Sequence, residues 1–228
     1  MVYQNGLPVK EADTAFPMIT QLREESSLGS KDGDEVYTID YLTLSDKANM
    51  GTGSSSRWYP QGDGTAFVLE NLGTIHDLCL DHVSVTGDQN TAAVCAYNGG
   101  TLENLTVAGS IEAKDFAAGI FATSLPMKEE DETLSKLVNH AKVTADGTAA
   151  GIVAQTKEKV LLEDCVNTGV IEAAVAAGIT TAECENLVLM RCQNYAPIIS
   201  SDNESYGITS NLTANLTDCV GVSENVYP

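Results

Sequence analysis

Basic side chains are scarce in this chain. Twelve Lys and Arg stand against 32 Asp and Glu among 228 residues, which gives a formal net charge of −20. Nucleic acids, anionic membranes and acidic polysaccharides are bound through clustered cations, so the composition argues against all three. No apolar run approaches the roughly 18 residues that span a bilayer, and the N-terminus has neither a basic nor an apolar leader segment. We expect no nucleic-acid partner and no membrane insertion.

Metal-binding and catalytic motifs are also missing from the sequence. The six cysteines form no CxxC pair, and the three histidines, His76, His82 and His140, occupy non-equivalent positions. No GxSxG or phosphate-loop motif accompanies them. Aromatic residues make up only 6% of the chain, although its 43% hydrophobic content is enough for a folded core. The sequence therefore predicts a folded protein with no cofactor, no metal site and no catalytic residue.

An internal repeat dominates what is present. Segment 102–113 aligns residue by residue with segment 162–173. Its pattern, Leu or Ile followed three residues later by Leu or Cys, recurs at spacings of 27, 32, 28, 27 and 27 residues. The six copies begin at Ile75, Leu102, Leu134, Leu162, Leu189 and Leu216. Such self-similarity is typical of repeat architectures, in which each unit buries its apolar face against its neighbours.

A second motif lies between these copies and favours strands over helices. The Ala-Ala-Gly-Ile sequence of residues 117–120 recurs at 149–152 and 176–179. Hydrophobic residues alternate around it, while Gly, Asn and Asp mark tight turns. Short strands stacked about 4.8 Å apart would form a solenoid, and parallel crossovers are right-handed. The predicted fold is all-β, a right-handed parallel β-helix of about six coils.

Small and sulfur-containing residues fit a narrow interior. We expect Ala118, Ala150 and Ala177 to stack in the core. The glycine after each of them is expected either because the backbone needs an unrestricted φ or because another segment approaches it closely. One repeat position holds cysteine in three copies and leucine in the others, which predicts that these thiols point inward and are reduced. A disulfide between stacked strands is the alternative. The cysteines at this position are Cys165, Cys192 and Cys219.

The repeat units resemble a known family. Residues 71–78 and 98–105, each followed by a strand of the Ala-Ala-Gly-Ile type, look like GLUG-type repeats. Those repeats occur in large surface proteins of Gram-positive and gut bacteria, including the non-catalytic N-terminal regions of IgA-protease-like metallopeptidases. The resemblance covers residues 62–222 and implies a pectin-lyase-like right-handed β-helix. The chain departs from the family pattern in having Ala where a second Gly is common.

The first 60 residues lack the repeat. The pattern over residues 17–25 predicts a short helix, and the alternation over residues 36–44 predicts a strand. Residues 45–65 are rich in Gly and Ser and are expected to form a loop. Because an open solenoid end exposes unpaired backbone, we interpret residues 1–60 as an N-terminal cap and residues 61–228 as the β-solenoid.

One repeat column and one surface are candidate sites. The column holds mostly charged residues, which we interpret as a row of surface charge pairs rather than a catalytic ladder. Its members are Asp77, Asn104, Lys136, Asp164, Arg191 and Asp218. The candidate binding surface combines the loop of residues 45–65 with an insertion that lengthens the fourth coil by about five residues. Its residues are Trp58, Tyr59, Met127, Lys128, Glu129, Glu130, Asp131 and Glu132.

In that surface, Trp58 and Tyr59 are placed to stack on a sugar or on an apolar patch of a partner, and burial of Trp58 under the cap is the alternative. These features predict a non-enzymatic β-solenoid module of a bacterial secreted or cell-surface protein. The module would act as a stalk, an adhesion element or a ligand-binding element for a glycan or a protein. We expect a monomer or a piece of a longer chain, with a cytosolic protein as the alternative. The competing function is a carbohydrate-active enzyme, a polysaccharide lyase or a glycoside hydrolase, with a degenerate site.

Overall fold

Only β-structure occurs in the part of the chain that the computed structural model describes. The described residues are 2–4, 7–9, 19–30, 36–40, 42–45, 64–126, 133–156, 158–181 and 187–222. They contain 26 strands and no helix. In chain order the strands are β1 (Val2–Gln4), β2 (Leu7–Val9), β3 (Ile19–Leu22), β4 (Ser27–Gly29), β5 (Tyr37–Asp40), β6 (Thr43–Ser45), β7 (Gly64–Thr65), β8 (Val68–Asn71), β9 (Thr74–Thr86), β10 (Asn90–Ala92), β11 (Cys95–Asn98), β12 (Thr101–Ala113), β13 (Phe116–Ala118), β14 (Phe121–Ser124), β15 (Thr133–Asn139), β16 (Lys142–Ala145), β17 (Thr148–Ala150), β18 (Val153–Gln155), β19 (Leu161–Glu163), β20 (Val166–Asn167), β21 (Ile171–Ala177), β22 (Val188–Met190), β23 (Gln193–Asn194), β24 (Ile198–Tyr206), β25 (Asn215–Thr217) and β26 (Val220–Gly221).

The strands stack in parallel, coil upon coil, into a β-solenoid. One face carries seven levels, formed by β4, β9, β12, β15, β19, β22 and β25. A five-stranded sheet of order β18-β14-β11-β8-β3 forms another face. Among the described strands, β1 and β2 form an antiparallel pair. The predicted all-β parallel solenoid is confirmed, with seven levels where the repeat copies predict about six.

The extra level comes from the segment before the repeat. Leu28 pairs with Ile75, β3 pairs with β8, and β5 and β6 both pair with β9, all in parallel. The spacing from Leu28 to Ile75 is 47 residues, because residues 46–63 intervene, so the regular period of 27 does not reveal this copy. The division into residues 1–60 and 61–228 stays a prediction, but the described residues before it continue the coils.

The helix expected over residues 17–25 is wrong where the structure describes it, because Ile19–Leu22 is strand β3. The amide of Ile19 donates to the carbonyl of Phe67 at 2.8 Å, and the amide of Leu72 donates to the carbonyl of Leu22 at 2.8 Å. Pairing with an open sheet edge supplies these hydrogen bonds and overrides the local helical preference. The strand expected over residues 36–44 is observed as β5 and β6.

The first residues of the repeat copies form a single inward column. Leu28, Ile75, Leu102, Leu134, Leu162 and Leu189 stack level on level and are buried. The last member, Leu216, pairs with Leu189 but is 48% exposed. It belongs to the last described level, so no described strand covers its far side. Each of the other members therefore depends on the levels above and below it for its burial.

A left-handed residue explains why the repeat pattern has a spacing of three. Leu102 and Leu105 are both buried, and between them Asn104 adopts φ 51°. That conformation turns the chain so that both leucines point inward. The equivalent residues all have φ between 48° and 55°: Asp77, Lys136, Asp164, Arg191 and Asp218. Asn and Asp tolerate this region, whereas Lys136 and Arg191 occupy it at a cost of about 1–2 kcal/mol each.

The Ala-Ala-Gly-Ile motif contributes to two cores. The first alanine, such as Ala117, belongs to the main interior cluster with Phe121 and Ile152. The second, Ala118, stacks in register with Ala150 and on to Ala177 in the next level, as predicted. However, Ala118 packs outside the main interior, in a small cluster with Ala92, Ala122 and Ala154. The predicted burial of Ala118, Ala150 and Ala177 is confirmed, but Ala118 belongs to a second cluster, because adjacent residues of a strand point to opposite faces.

Buried asparagines connect successive levels through their side chains. Asn139 Nδ2 donates to Asn167 Oδ1 at 2.7 Å, and Asn167 Nδ2 donates to Asn194 Oδ1 at 2.8 Å. On another face, Asn71 Nδ2 donates to Asn98 Oδ1 at 2.7 Å. All five residues are fully buried. Each amide also bonds backbone groups two residues further on, which satisfies polar groups that burial would otherwise leave unpaired.

Candidate binding surface and outer cleft

The predicted binding surface lies outside the described residues. This holds for Trp58 and Tyr59 in the loop and for the insertion of residues 127–132. On either side of the insertion, the described residues end at Pro126 and resume at Thr133. The surface therefore stays a prediction, and the described residues must supply any site that geometry supports.

The charged residues of the repeat column form ion pairs and hydrogen bonds on the outside of the solenoid, where the left-handed residue bends each coil. Arg191 Nε lies 2.7 Å from Asp164 Oδ1, and its guanidinium also contacts Glu163. Lys136 Nζ lies 3.2 Å from Glu103 Oε1. The Arg191 and Asp164 side chains are 47% and 43% exposed. The geometry agrees with the predicted row of surface charge pairs, each of which contributes little to stability in water.

Two carboxylates of this column are held in the ionised form. Hydrogen bonds from His76 and then from Asn104 lower the pKa of Asp77. The Arg191 guanidinium lowers the pKa of Asp164 in the same way. A general acid needs a carboxyl group that keeps its proton near neutral pH, which requires a raised pKa. Both residues are therefore poorly suited to general acid catalysis.

Three side chains of the kinds that bind metal ions, Asp40, Asp81 and His82, lie close together on the N-terminal levels. His82 Nδ1 is 2.9 Å from Asp40 Oδ1 and 3.3 Å from Asp81 Oδ2, and one ligand atom of each residue falls within 4.8 Å of the others. Sequence reasoning missed this group because Asp40 and Asp81 become neighbours only when β5 pairs with β9. The His82 ring and Asp40 are more than one third exposed. Contacts between His82 and the two carboxylates already account for the arrangement.

The thiols of the repeat column lie in the main core. Cys165 and Cys192 are fully buried, and Cys219 in the last described level is half-buried. The described cysteines are free, whereas Cys184 lies outside the described residues. Burial raises the pKa of the Cys165 thiol well above its usual range and has the same effect on Cys95. The predicted inward position is confirmed for Cys165 and Cys192, whose burial limits the access of reagents.

One cleft of about 400 Å³ opens on the outside of the solenoid, within the described part of the chain. One wall carries Asn90 and Phe116, which pair in register between β10 and β13. The other wall carries Tyr97, Thr123 and Gln155, which align in register along β11, β14 and β18. Three successive levels therefore contribute to the same cleft. Strands stacked at about 4.8 Å place these side chains at a regular spacing.

Hydrogen bonds across the cleft hold its polar side chains in place. Thr123 Oγ1 donates to Asn90 Oδ1 at 2.7 Å, and Asn90 Nδ2 donates to the Tyr97 hydroxyl at 3.0 Å. Phe116 rests on the outer alanine cluster of Ala92, Ala118, Ala122 and Ala154. Tyr97 packs with Leu125 in a second small cluster. Asn90, Tyr97 and Thr123 are therefore held in place by one another.

One buried polar side-chain atom of the cleft has no partner among the described residues. The Oε1 atom of Gln155 is shielded from solvent and accepts no hydrogen bond there. An unpaired buried acceptor costs about 1–3 kcal/mol. Sequence reasoning missed the whole cleft. The available signal was a position that follows each small-residue motif: Thr123 and Gln155 lie three residues after Ile120 and Ile152, and Tyr97 is their equivalent one level earlier.

Comparisons with known proteins give one partial similarity. Over 70 residues, 31% of the chain, the sequence is 31% identical to halomucin, a cell-surface protein of Haloquadratum walsbyi (strain DSM 16790 / HBSQ001). The matched region is 1% of the length of that protein. No family model matches the chain, and no solved structure matches it. Among the described residues, no helix is long and apolar enough to cross a membrane.

Proposed function

We propose that this chain is a non-catalytic β-solenoid module of a bacterial secreted or cell-surface protein, in which it serves as a stalk and adhesion element. The observation that carries the proposal is the in-register stack of seven parallel levels. Six steps of about 4.8 Å make this face roughly 29 Å tall. The partial similarity to a cell-surface halomucin supports the setting, as does the resemblance of residues 71–78 and 98–105 to GLUG-type repeats.

Contacts between levels suit a module that transmits force along its axis. Backbone ladders link each level to the next, and the buried Asn139–Asn167–Asn194 ladder adds side-chain hydrogen bonds in the same direction. The stability of a repeat stack depends on its nearest-neighbour interfaces. Each level is therefore held by the same kinds of contact as its neighbours, as a spacer requires.

The arrangement of charges favours this function over a carbohydrate-active enzyme. Glycosidases place two carboxyl groups across a substrate cleft, typically about 5–10 Å apart. The described lining of the outer cleft contains one carboxylate, Glu158. The charged residues of the repeat column lie on an exposed turn, where Arg191 pairs with Asp164 and Lys136 pairs with Glu103. These groups form exposed ion pairs on the surface of the stack.

Cell-surface labelling and activity assays test the two parts of the proposal. Antibodies against this chain should label intact producing cells, and mild external proteolysis should remove the label. The purified chain should release no product from pectin, alginate, xylan or host glycans, with or without calcium. Product formation that disappears in Glu158→Gln would establish the enzyme instead. Labelling only after cell lysis would overturn the surface location.

A further inference from the structure

The outer cleft has a chemistry that a stalk does not use. We propose that it binds a neutral saccharide, a monosaccharide or disaccharide unit of a larger glycan. The adhesion element of the proposed function supplies the biological setting, but the site itself stands on its own geometry. Its volume of about 400 Å³ lies within the range of small-molecule sites.

The first argument is the unsatisfied acceptor. Gln155 Oε1 is shielded from solvent and has no hydrogen-bond donor among the described residues. Rotation of the Gln155 side-chain amide would bring this acceptor to the surface of the cleft, where a sugar hydroxyl can donate to it and can accept a hydrogen bond through the same oxygen. Glu158 adds a second acceptor, and Thr123 and Asn90 hold each other in fixed orientation on the facing walls. The cleft therefore presents several fixed polar groups to a ligand rich in hydroxyls.

The second argument is the apolar part of the lining. Phe116 is only partly buried, and its inner side is supported by the outer alanine cluster. Leu125 and Pro126 lie in the same cleft. A pyranose ring has an apolar face of C–H groups that packs on an aromatic ring and a rim of hydroxyls that faces polar groups. A lining of both kinds suits this amphipathic shape.

The third argument is charge. Glu158 is the charged residue of the described lining, and the chain as a whole carries −20. A uronic acid or sulfated sugar would be repelled by both. A divalent cation needs six or more oxygen ligands, commonly several carboxylates, and one carboxylate is a poor match. A neutral sugar avoids both problems.

Direct binding measurements test the proposal on the purified chain. The probes are glucose, galactose, mannose, N-acetylglucosamine, lactose and cellobiose, with glucuronic acid as the anionic counterpart. Titration calorimetry should find a neutral sugar with a dissociation constant of about 1 mM or tighter. In the wild-type chain, that sugar should shift the NMR signals of the Gln155 side-chain amide. Gln155→Leu and Phe116→Ala should each weaken binding about tenfold.

A matched control uses the same column of the same sheet. Gln21 aligns with Glu70, Tyr97, Thr123 and Gln155, but its amide donates to Glu70 at 3.1 Å, away from the cleft. Gln21→Leu should leave sugar binding unchanged. The proposal is overturned by equal loss in Gln21→Leu, by equal binding of glucuronic acid, or by no shift at Gln155 with any probe. A chain that labels the cell surface but binds none of the probes would retain the proposed function without this site.

Discussion

Gly151 packs so closely against the side chain of Asn167 that there is no room for a side chain at position 151. A Cβ atom on Gly151 would lie 2.7 Å from Asn167 Cγ and 2.1 Å from the carbonyl oxygen of Gly178. Gly119 and Gly178 meet Asn139 and Asn194 in the same way. Of the two reasons predicted for these glycines, close approach is the correct one, because none of the three has a positive φ. The glycine column and the asparagine ladder therefore depend on each other.

Gly151→Ala should destabilise the chain by about 1–3 kcal/mol, because the new methyl group overpacks a fully buried contact. Gly207→Ala is the matched control at the equivalent position of a later level, where the nearest atom would be 3.3 Å away. Its effect should be clearly smaller. Urea denaturation followed by circular dichroism measures both. Equal losses of unfolding free energy would mean that the asparagine ladder does not set the need for glycine.

Asn167→Ala should lower the free energy of unfolding by about 2 kcal/mol or more, since several buried polar groups lose their partners. Asn167 bonds Asn139, Asn194 and the backbone of Gly169. Asn215→Ala, at an exposed position of β25, should be nearly silent. The same denaturation experiment compares the two. A loss in Asn167→Ala no greater than in Asn215→Ala would contradict a stabilising role for the ladder.

Lys136→Asn should stabilise the chain by about 1 kcal/mol, because Asn tolerates the left-handed region better than Lys does. Asn already occupies the equivalent position 104 at φ 51°, close to the φ of 55° at Lys136. The exposed pair that Lys136 forms with Glu103 is lost, at little cost. Thermal unfolding of Lys136→Asn and Lys136→Ala separates the two effects. If both variants shift the melting temperature equally, the backbone conformation is not the cause.

Thiol labelling should divide the described cysteines into two classes. Cys95, Cys165 and Cys192 are fully buried, so they should react with a soluble disulfide reagent only after denaturation. Cys79 and Cys219 are half-buried and should react slowly in the folded chain. Mass spectrometry of timed samples identifies each labelled site. Fast modification of Cys165 or Cys192 before unfolding would place that column on the outside of the coil.

Alkaline pH should weaken the fold. Burial raises the pKa of Cys95 above its ordinary value of 9.0, so the folded chain keeps this proton when the unfolded chain has released it. The stabilisation is complete below about pH 9 and is lost as the pH rises further, at about 1.4 kcal/mol per pH unit for each such thiol. Denaturation at several pH values should show a shallower loss in Cys95→Ala. An identical slope would assign the pH dependence to other groups.

The inward column could be predicted from the sequence because the same apolar position recurs in every copy of the repeat. Every level must place an apolar side chain where Ile75, Leu102 and Leu134 lie, so the spacing of 27–32 residues is visible in the order of the amino acids alone. The same rule identified Cys165 and Cys192 as interior residues. A parallel solenoid is the architecture in which such a short β-repeat buries its own faces.

The remaining features depend on contacts between segments that no local pattern connects. Ile19–Leu22 becomes a strand because an open edge of the sheet accepts it, and Leu28 joins the stack across an irregular spacing of 47 residues. The outer cleft exists because Asn90 faces Tyr97 and Thr123 across a bend of the coil. Hydrophobic periodicity shows which side of a strand is buried. Which polar side chains come into contact depends instead on strand pairing at the sheet edge and on the bends that bring distant parts of one coil together.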